Sequence, residues 1–188
     1  MNYSNFFKLN SGDATRYIIL DAIENTKSEK EFYDIIKKKN ITFKEVRGRG
    51  PGDLAKGTWL TIFFSERFVN LLKENNIKSF KAYPINFKSK YNINMKYYYL
   101  EITHKVSEIH LEGKSKTSLY FDKQGNKAVM GQKGLYFNLK EWNGNDIFGI
   151  KDTKIIIITK KLKELIEKAK LKNVTFEGVE NYEFGTYE

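Results

Sequence analysis

Three stretches of the chain repeat apolar residues at helical spacing, and each begins at a hydroxyl residue. Ser28 opens SEKEFYDIIKKK, Ser65 opens SERFVNLLKENN and Thr159 opens TKKLKELIEKAK. A hydroxyl oxygen in this place accepts a hydrogen bond from a free N–H group in the first helical turn. Glu31 also completes a capping box with Ser28. The pattern therefore predicts three amphipathic helices with Ser28, Ser65 and Thr159 as N-caps.

Short runs rich in Ile, Val, Phe, Tyr and Thr fill most of the remaining chain, and their alternation predicts β-strands. The runs are ITFKEV, WLTIFF, KAYPINF, KYYYLEITHKVSEIHL and LYFDKQGNKAVMG, the last being a hairpin that turns at 124–127. RGRGPGDLAKG is rich in glycine, so we expect a loop that acts as a flexible connector. Together these elements predict an α+β fold, in which a mixed, mainly antiparallel sheet of about six to eight strands carries about three helices.

The second and third helix segments align without a gap as two related strand–cap–helix–strand units. Ile62–Ser65 aligns with Ile156–Thr159, and the apolar helix positions and the following strands then coincide. The units occupy residues 45–87 and 150–180 of a single domain, 1–188. Chance alignment is the alternative, because a strand, a cap and a helix often follow one another. The shared order of physical roles favours a duplication.

Ser65 ends an apolar run, which is also where some hydrolases carry a nucleophilic serine. A nucleophile elbow has glycines two residues to either side of the serine, because its turn is sharp. Phe63 and Arg67 stand at those positions here, and the aligned Thr159 has the same place in its own unit. The sequence therefore favours capping over catalysis at Ser65, and we expect no enzyme activity.

Side chains that hold metals or cofactors are scarce. The chain has no cysteine and two histidines, His104 and His110, in one strand-like segment. This pair is a candidate metal site or base, but no third ligand stands at a familiar spacing, so we favour surface or cross-strand histidines. Asp146 lies among turn residues, where an aspartate usually caps its own backbone. No phosphate loop or dinucleotide fingerprint is present, and the sequence predicts no metal and no cofactor.

The formal net charge of the 188 residues is +10, which favours acidic partners such as nucleic acid or an acidic protein surface. A lysine-rich composition without functional meaning is the alternative explanation. Neither a signal peptide nor a membrane-spanning apolar run is visible. We therefore expect a soluble, cytoplasmic protein without a membrane partner.

Candidate partner contacts are Arg47, Arg49, Lys88, Lys90, Tyr97 and Tyr99. The two arginines suit a clamp on a phosphate or a carboxylate, and the alternative is a plain connector. The lysines and tyrosines resemble surfaces that stack the bases of single-stranded nucleic acid on aromatic rings. The alternative for them is an ordinary sheet, because tyrosine is common in strands.

RGRGPGDL, SERFVNLLKENNI, FKAYPI and KYYYLEI, followed by NDIFGI and IIIITKKLKELIEKAKLKNVTFEGV, resemble the bacterial immunity proteins of polymorphic toxin systems. The resemblance is to a Myxococcus-type group, a domain of unknown function, and it covers residues 45–180. The matching positions include Ser65, Asp146, Phe148, Thr159 and Phe176. The chain departs from the pattern at Thr159, where serine is usual, and at Asn173, where glycine is often found. It also lacks the cysteines of some relatives.

The resemblance implies a cytoplasmic protein that binds and occludes a cognate bacterial toxin, and it carries over no catalytic residue. Tight interfaces of this kind depend on a few aromatic and arginine anchors. Because the chain is basic, a mimic of nucleic acid is disfavoured and an acidic toxin surface fits better. The alternative is a basic module that binds single-stranded nucleic acid, with an affinity that falls steeply with salt.

Overall fold

The structure is a computed structural model, which describes residues 2–12, 15–23, 26–38, 41–48, 50–88, 95–109, 116–121 and 128–185. Two mixed, mostly antiparallel sheets of seven and five strands carry the helices, and a separate sheet has three strands. The predicted α+β class is confirmed. The sequence predicted one sheet, whereas the strands divide among three, because contacts between distant residues decide which strands pair.

Each of the three helices in the described residues is nine residues long and begins where the apolar pattern places it. They are α1 (Glu29–Lys37), α2 (Glu66–Glu74) and α3 (Lys160–Lys168). None of them combines the length and the apolar character that crossing a membrane requires.

In chain order the strands are β1 (Phe6–Ser11), β2 (Ile19–Ala22), β3 (Thr42–Arg47), β4 (Leu54–Gly57), β5 (Ile62–Ser65), β6 (Phe80–Pro84), β7 (Asn86–Lys88), β8 (Tyr97–Ile102), β9 (Lys105–Val106), β10 (Lys116–Phe121), β11 (Ala128–Lys133), β12 (Ile147–Ile150), β13 (Ile156–Thr159), β14 (Val174–Gly178) and β15 (Glu183–Gly185). The seven-stranded sheet has the order β6-β8-β5-β4-β2-β3-β7, the five-stranded sheet β14-β1-β13-β12-β9 and the small sheet β10-β11-β15. β10 and β11 pair antiparallel as the predicted hairpin, whose turn lies outside the described residues.

The two large sheets contain one five-strand arrangement twice. β6-β8-β5-β4-β2 corresponds to β14-β1-β13-β12-β9, with the last pair parallel and the others antiparallel in both sheets. The register also agrees, since Phe80 pairs with Ile102 as Val174 pairs with Ser11. The repeated arrangement thus contains the strands on either side of α2 and α3, the two helices whose segments align in the sequence, and it extends across whole sheets.

The second copy takes one of its strands from far away in the chain. In the first copy β8 comes after β6 in the chain. The counterpart of β8 in the second copy is β1, which lies at residues 6–11, before every other strand of either copy. Phe6 pairs with Thr159 as Tyr97 pairs with Ser65, and both aromatic side chains are fully buried. An alignment that runs forward along the chain therefore misses this strand.

Three apolar clusters form the core. The central cluster contains Phe68 of α2 and Leu162 of α3 with residues of both large sheets, so the two copies share one core. Phe6 belongs to a second cluster on the five-stranded sheet. Phe32 and Ile36 of α1 belong to a third, on the seven-stranded sheet.

Two segment predictions are wrong. Trp59 and Leu60, the first two residues of WLTIFF, lie in a tight turn (Thr58–Leu60), and the strand begins only at Ile62. Leu54–Gly57 of RGRGPGDLAKG forms β4, and Asp53 before it is buried. The segment is therefore no flexible connector: pairing of β4 with both β5 and β2 satisfies its backbone and outweighs the local glycine preference for a loop.

Candidate partner-binding surface

The hairpin between β4 and β5 ends in a turn whose central residues are Trp59 and Leu60, here called the Trp59–Leu60 turn. The N–H of Thr61 donates to the carbonyl of Thr58 over 3.1 Å, and Trp59 and Leu60 have φ angles of 57° and 58°. Two central residues with positive φ are the mark of a type I′ turn, where asparagine and glycine are usual. Trp59 is 39% exposed and Leu60 83%. Two bulky apolar residues thus occupy a strained and exposed turn, which is a feature that recurs at functional sites.

Polar contacts hold the base of this turn in place. The hydroxyl of Thr58 donates to the carboxylate of Asp21 over 2.5 Å. The ammonium group of Lys154, in the turn that joins β12 to β13, donates to the carbonyl of Trp59. These contacts fix the strained backbone and leave the side chain of Leu60 projecting into solvent.

A cleft of about 310 Å³, the tyrosine cleft, adjoins the turn. In its wall the ring of Tyr99 stacks on that of Tyr33 with centroids 5.2 Å apart. Glu101 pairs with Lys37 and accepts a hydrogen bond of 2.8 Å from the hydroxyl of Tyr83. Burial raises the pKa of Tyr99. Burial also acts to raise the pKa of Glu101, but the hydrogen bonds from Lys37 and Tyr83 outweigh it and lower that pKa. The wall thus combines uncharged, stacked tyrosine rings with the carboxylate of Glu101, which already has hydrogen-bond partners.

A second cleft, of about 520 Å³, also adjoins the turn and is here called the serine cleft. Its lining includes Lys8, Ser11, Lys56, Leu60, Lys154 and Thr175. Ser11 is only 6% exposed, and its hydroxyl has no hydrogen-bond partner among the described residues. No described Asp or Glu lines this cleft, which makes its lining basic.

The internal duplication relates the two clefts to each other. Leu9 and Ser11 of β1 line the serine cleft, and their counterparts in β8, Leu100 and Ile102, line the tyrosine cleft. The β4–β5 turn and the β12–β13 turn are likewise counterparts, and each contributes to both clefts. Leu60 of the first turn lies in the lining of both. The Trp59–Leu60 turn therefore stands between two equivalent openings whose side chains have diverged.

The structure does not bring the predicted partner contacts together. Arg47 is exposed at the end of β3, and Arg49 and Lys90 lie outside the described residues. Lys88 is exposed on β7, where it pairs in register with exposed Lys44 of β3. Strands β2 and β3 separate β7 from β4, so these lysines belong to a different region of the sheet from the turn.

The expectation that Tyr97 contacts a partner is wrong, because its side chain is fully buried and its hydroxyl donates to the carbonyl of Gly52 over 2.8 Å. Tyr99 is half-buried and stacks on Tyr33 and on Tyr83. These two tyrosines therefore do not form the open platform that stacked bases need. The reason is alternation: neighbouring strand residues face opposite sides, and the side that holds Tyr97 and Tyr99 packs against α1 and the strands around it.

Ser65 and Thr159 each take part in two hydrogen bonds. The oxygen of Ser65 accepts from the N–H of Phe68 over 3.1 Å, and its hydroxyl donates to Asp53 over 2.6 Å. In the second copy Thr159 accepts from the N–H of Leu162 and donates to Asp146 over 2.6 Å. Ser28 of α1 accepts from the N–H of Glu31 over 3.2 Å. Asp146 therefore reaches across to a cap, contrary to the expectation that it caps its own backbone.

His104 has a structural contact: its Nε2 lies 3.0 Å from the carbonyl oxygen of Glu141. His110 lies outside the described residues. Within the described part of the chain, no three His, Asp or Glu side chains come together in a way that could hold a metal ion. Among the large hydrophobic side chains of the described residues, that of Leu60 is the most exposed.

A family model described as an immunity protein family, Imm11, matches residues 10–181. The chain belongs to the Imm11 immunity protein family. The match supports an immunity function in general, and it confirms the resemblance to immunity proteins that the sequence motifs indicated. No curated protein matches the chain.

The sequence missed the main parts of this Imm11 member's candidate surface, namely Trp59, Leu60, Lys154 and Ser11. The sequence places Trp59 and Leu60 in a strand because they open the apolar run WLTIFF, and the turn lacks the usual Asn-Gly signal. Ser11 carries no signal at all, because its place in the cleft depends on β1 pairing with β14, more than 160 positions later. A Thr-Trp-Leu-Thr sequence between two apolar runs was the available hint of a hairpin.

Proposed function

We propose that the protein neutralises a cognate bacterial toxin by binding it and covering a functional surface of the toxin. The chain belongs to an immunity family, and one surface feature suits a binding role: the exposed Trp59–Leu60 turn between two clefts. We further propose that this turn and the two clefts form the contact surface. Action in the cytoplasm stays a prediction of the sequence.

The conformation of the turn supports this assignment. A left-handed backbone costs about 1–2 kcal/mol for a residue with a Cβ atom. Trp59 and Leu60 both carry that cost, and Leu60 gains little from burial because it is 83% exposed. Binding gives such residues a role, since tryptophan is enriched among the residues that contribute most to interface energy, and the apolar contacts around it exclude water. A rigid turn also loses little conformational entropy when it docks.

Occlusion fits the chemistry of the site better than catalysis does. Ser65 stands where some hydrolases carry a nucleophile, but its side chain is fully buried. Its hydroxyl already donates to Asp53 and accepts from the N–H of Phe68 at the start of α2. The exposed side chains of the turn are apolar and carry no acid, base or nucleophile. The proposal therefore assigns no catalytic residue.

The charge of the chain defines the kind of toxin surface that fits. The net charge is +10, and the described lining of the two clefts has five lysines (8, 37, 56, 105 and 154) against two glutamates (29 and 101). We propose a partner surface with acidic groups around an apolar socket for Leu60. Opposite charges would then speed association, and the rate would fall as salt is added.

A co-expression experiment tests the proposal. The toxin domain encoded by the gene adjacent to this one is expressed in bacteria with the wild-type protein, with Leu60→Glu or with Val46→Glu. Val46 is the matched control, because it is also apolar and 45% exposed but lies on β3. We expect wild type and Val46→Glu to restore growth and to co-purify with the toxin domain, and Leu60→Glu to do neither.

The results of this experiment distinguish an error in the proposed function from an error in the proposed contact surface. If the wild-type protein neither binds the toxin domain nor protects the cells, the proposed function is wrong. If Leu60→Glu binds and protects as well as wild type does, the function stands and the contact surface is wrong. Salt-sensitive binding to single-stranded oligonucleotides without toxin binding would favour the nucleic-acid alternative, for which the exposed pair Lys44 and Lys88 is the available surface.

A further inference from the structure

We propose that the serine cleft receives a carboxylate side chain of the toxin, which Ser11 and Lys56 bind. This inference rests on the proposed function and deepens it, because it names the chemical group that the partner inserts. It predicts an Asp or Glu of the toxin beside the apolar contact of Leu60.

The first observation is an unpartnered hydroxyl. Ser11 is 6% exposed and lines the cleft, and its Oγ is covered from solvent yet has no hydrogen-bond partner among the described residues. A carboxylate in the cleft therefore reaches this hydroxyl when the Ser11 side chain turns toward it. A buried polar group without a partner is destabilising, so natural proteins rarely keep one without a reason. A hydroxyl can donate to a carboxylate oxygen, and hydrogen bonds to charged groups are stronger than those between neutral groups.

The second observation is the sign of the charge. Lys8, Lys56 and Lys154 line the serine cleft, and none of its described lining residues is acidic. Lys8 lies over the ring of Tyr182 at 3.7 Å, and Lys154 pairs with Glu29 at 3.2 Å. Within the described residues Lys56 has no ion pair, which leaves its ammonium group available to an incoming anion.

The third observation comes from the internal duplication, which provides a comparison within one molecule. At the positions of Ser11 and Lys56 the second opening, the tyrosine cleft, has Ile102 and Gly149. The same backbone is thus built without the hydroxyl and without the lysine. The fold does not require Ser11 or Lys56, and their presence calls for another role, which anion binding supplies.

The second unpartnered buried oxygen, Oδ1 of Asn173, does not enter this site. It lies 3.0 Å from the place where a Cβ atom of Gly12 would stand, and Asn173 does not line the cleft. Its side-chain amide donates to the carbonyl of Leu54 over 2.6 Å and so ties β4 to the start of β14. Asn173 is therefore assigned to the junction of the two copies.

Affinity measurements on single variants test the inference. The dissociation constant for the toxin domain encoded by the adjacent gene is measured for wild type, Ser11→Ala, Lys56→Glu and Lys44→Glu. Lys44 is the matched control, an exposed strand lysine outside both clefts. We expect Lys56→Glu to weaken binding by about a hundredfold, Ser11→Ala by about tenfold and Lys44→Glu by about twofold or less.

A thermal melt of Ser11→Ala distinguishes a binding role from a structural one. Removing an unpartnered buried hydroxyl should leave the melting temperature unchanged or raise it, while the affinity falls. Reduced affinity with a clearly lower melting temperature would indicate a structural role instead and would overturn the assignment of Ser11.

Charge reversal on the toxin identifies the partner group. Each surface Asp and Glu of the toxin domain is changed to Lys in turn and combined with Lys56→Glu. Restored binding by one such toxin variant supports the inference, and restoration by none of them overturns a direct pair with Lys56.

If the wild-type protein does not bind the toxin domain at all, the proposed function fails. If it binds and neither Ser11→Ala nor Lys56→Glu weakens it, only the present inference fails.

Discussion

Ser65 donates its hydroxyl hydrogen to the carboxylate of Asp53 over 2.6 Å, and both side chains are buried. The other carboxylate oxygen of Asp53 accepts from the backbone N–H of Lys172 over 2.7 Å. One aspartate thus joins the cap of α2 in the first copy to the turn between α3 and β14 in the second. Asp146 and Thr159 repeat the first half of this arrangement, also at 2.6 Å.

Ser65→Ala should lower the free energy of unfolding by about 3 kcal/mol. The change removes the cap of α2 and one of the donors to a buried carboxylate, and each loss costs about 1–2 kcal/mol. Ser65→Thr should be nearly neutral, because Thr159 makes the same two hydrogen bonds in the second copy. Urea unfolding measures both values, and a Ser65→Ala protein as stable as wild type would contradict the linked arrangement.

Phe6→Ala should lower the free energy of unfolding by about 3–5 kcal/mol. Phe6 is fully buried, and its ring meets the rings of Phe137 at 5.1 Å and Trp142 at 5.3 Å. Phe7→Ala serves as the control, because Phe7 is only partly buried and should cost less. Equal losses for the two variants would contradict the deeper burial of Phe6.

Leu60→Gly should raise the melting temperature by about 2 °C. Glycine relieves about 1–2 kcal/mol of left-handed strain, offset by about 0.5–1 kcal/mol of chain entropy, and Leu60 loses little burial. Leu60→Ala keeps the strain and should melt like wild type, although both variants remove the apolar contact for the toxin. Differential scanning calorimetry compares them, and a lower melting temperature for the glycine variant would show that the turn is not strained.

Stability should depend on Glu141 in acid. The N–H of Ser107 and the side chains of Lys151 and Asn138 donate to its carboxylate, and they lower its pKa from the ordinary 4.5 to about 2. Because the folded-state pKa is the lower one, the stabilisation is complete above pH 4.5 and is lost as the pH falls toward 2.

Glu141→Gln should therefore be less stable than wild type at pH 7, and the difference should shrink as the pH falls through that window. Glu164→Gln, on the exposed face of α3, is the control and should follow wild type throughout. Melting temperatures measured from pH 7 to pH 2 give the comparison. A constant difference between Glu141→Gln and wild type would contradict the pKa shift.

The sequence was sufficient for features that depend on neighbouring residues. The starts of the three helices, their hydroxyl caps, the α+β class and the β10–β11 hairpin follow from local spacing and from capping chemistry. The resemblance to immunity proteins and the duplication of strand, cap and helix were also visible, because both are carried by short contiguous motifs.

The sequence failed where distant residues decide the structure. RGRGPGDLAKG has the composition of a loop, but pairing with β5 and β2 makes part of it a strand that follows a buried aspartate. Tyr97 and Tyr99 looked like a surface platform, but the side of β8 that they face is covered by α1 and other strands.

The amino-acid sequence by itself determined where the three helices begin, since those starts depend on the apolar period and on caps within a few residues. The tertiary structure alone decided that β1 completes the second copy, that Asp53 joins both copies, and that Ser11 lies unpartnered in a cleft beside Leu60. Those relationships depend on the register between strands far apart in the chain. A shift of one residue in that register would turn every side chain to the opposite face.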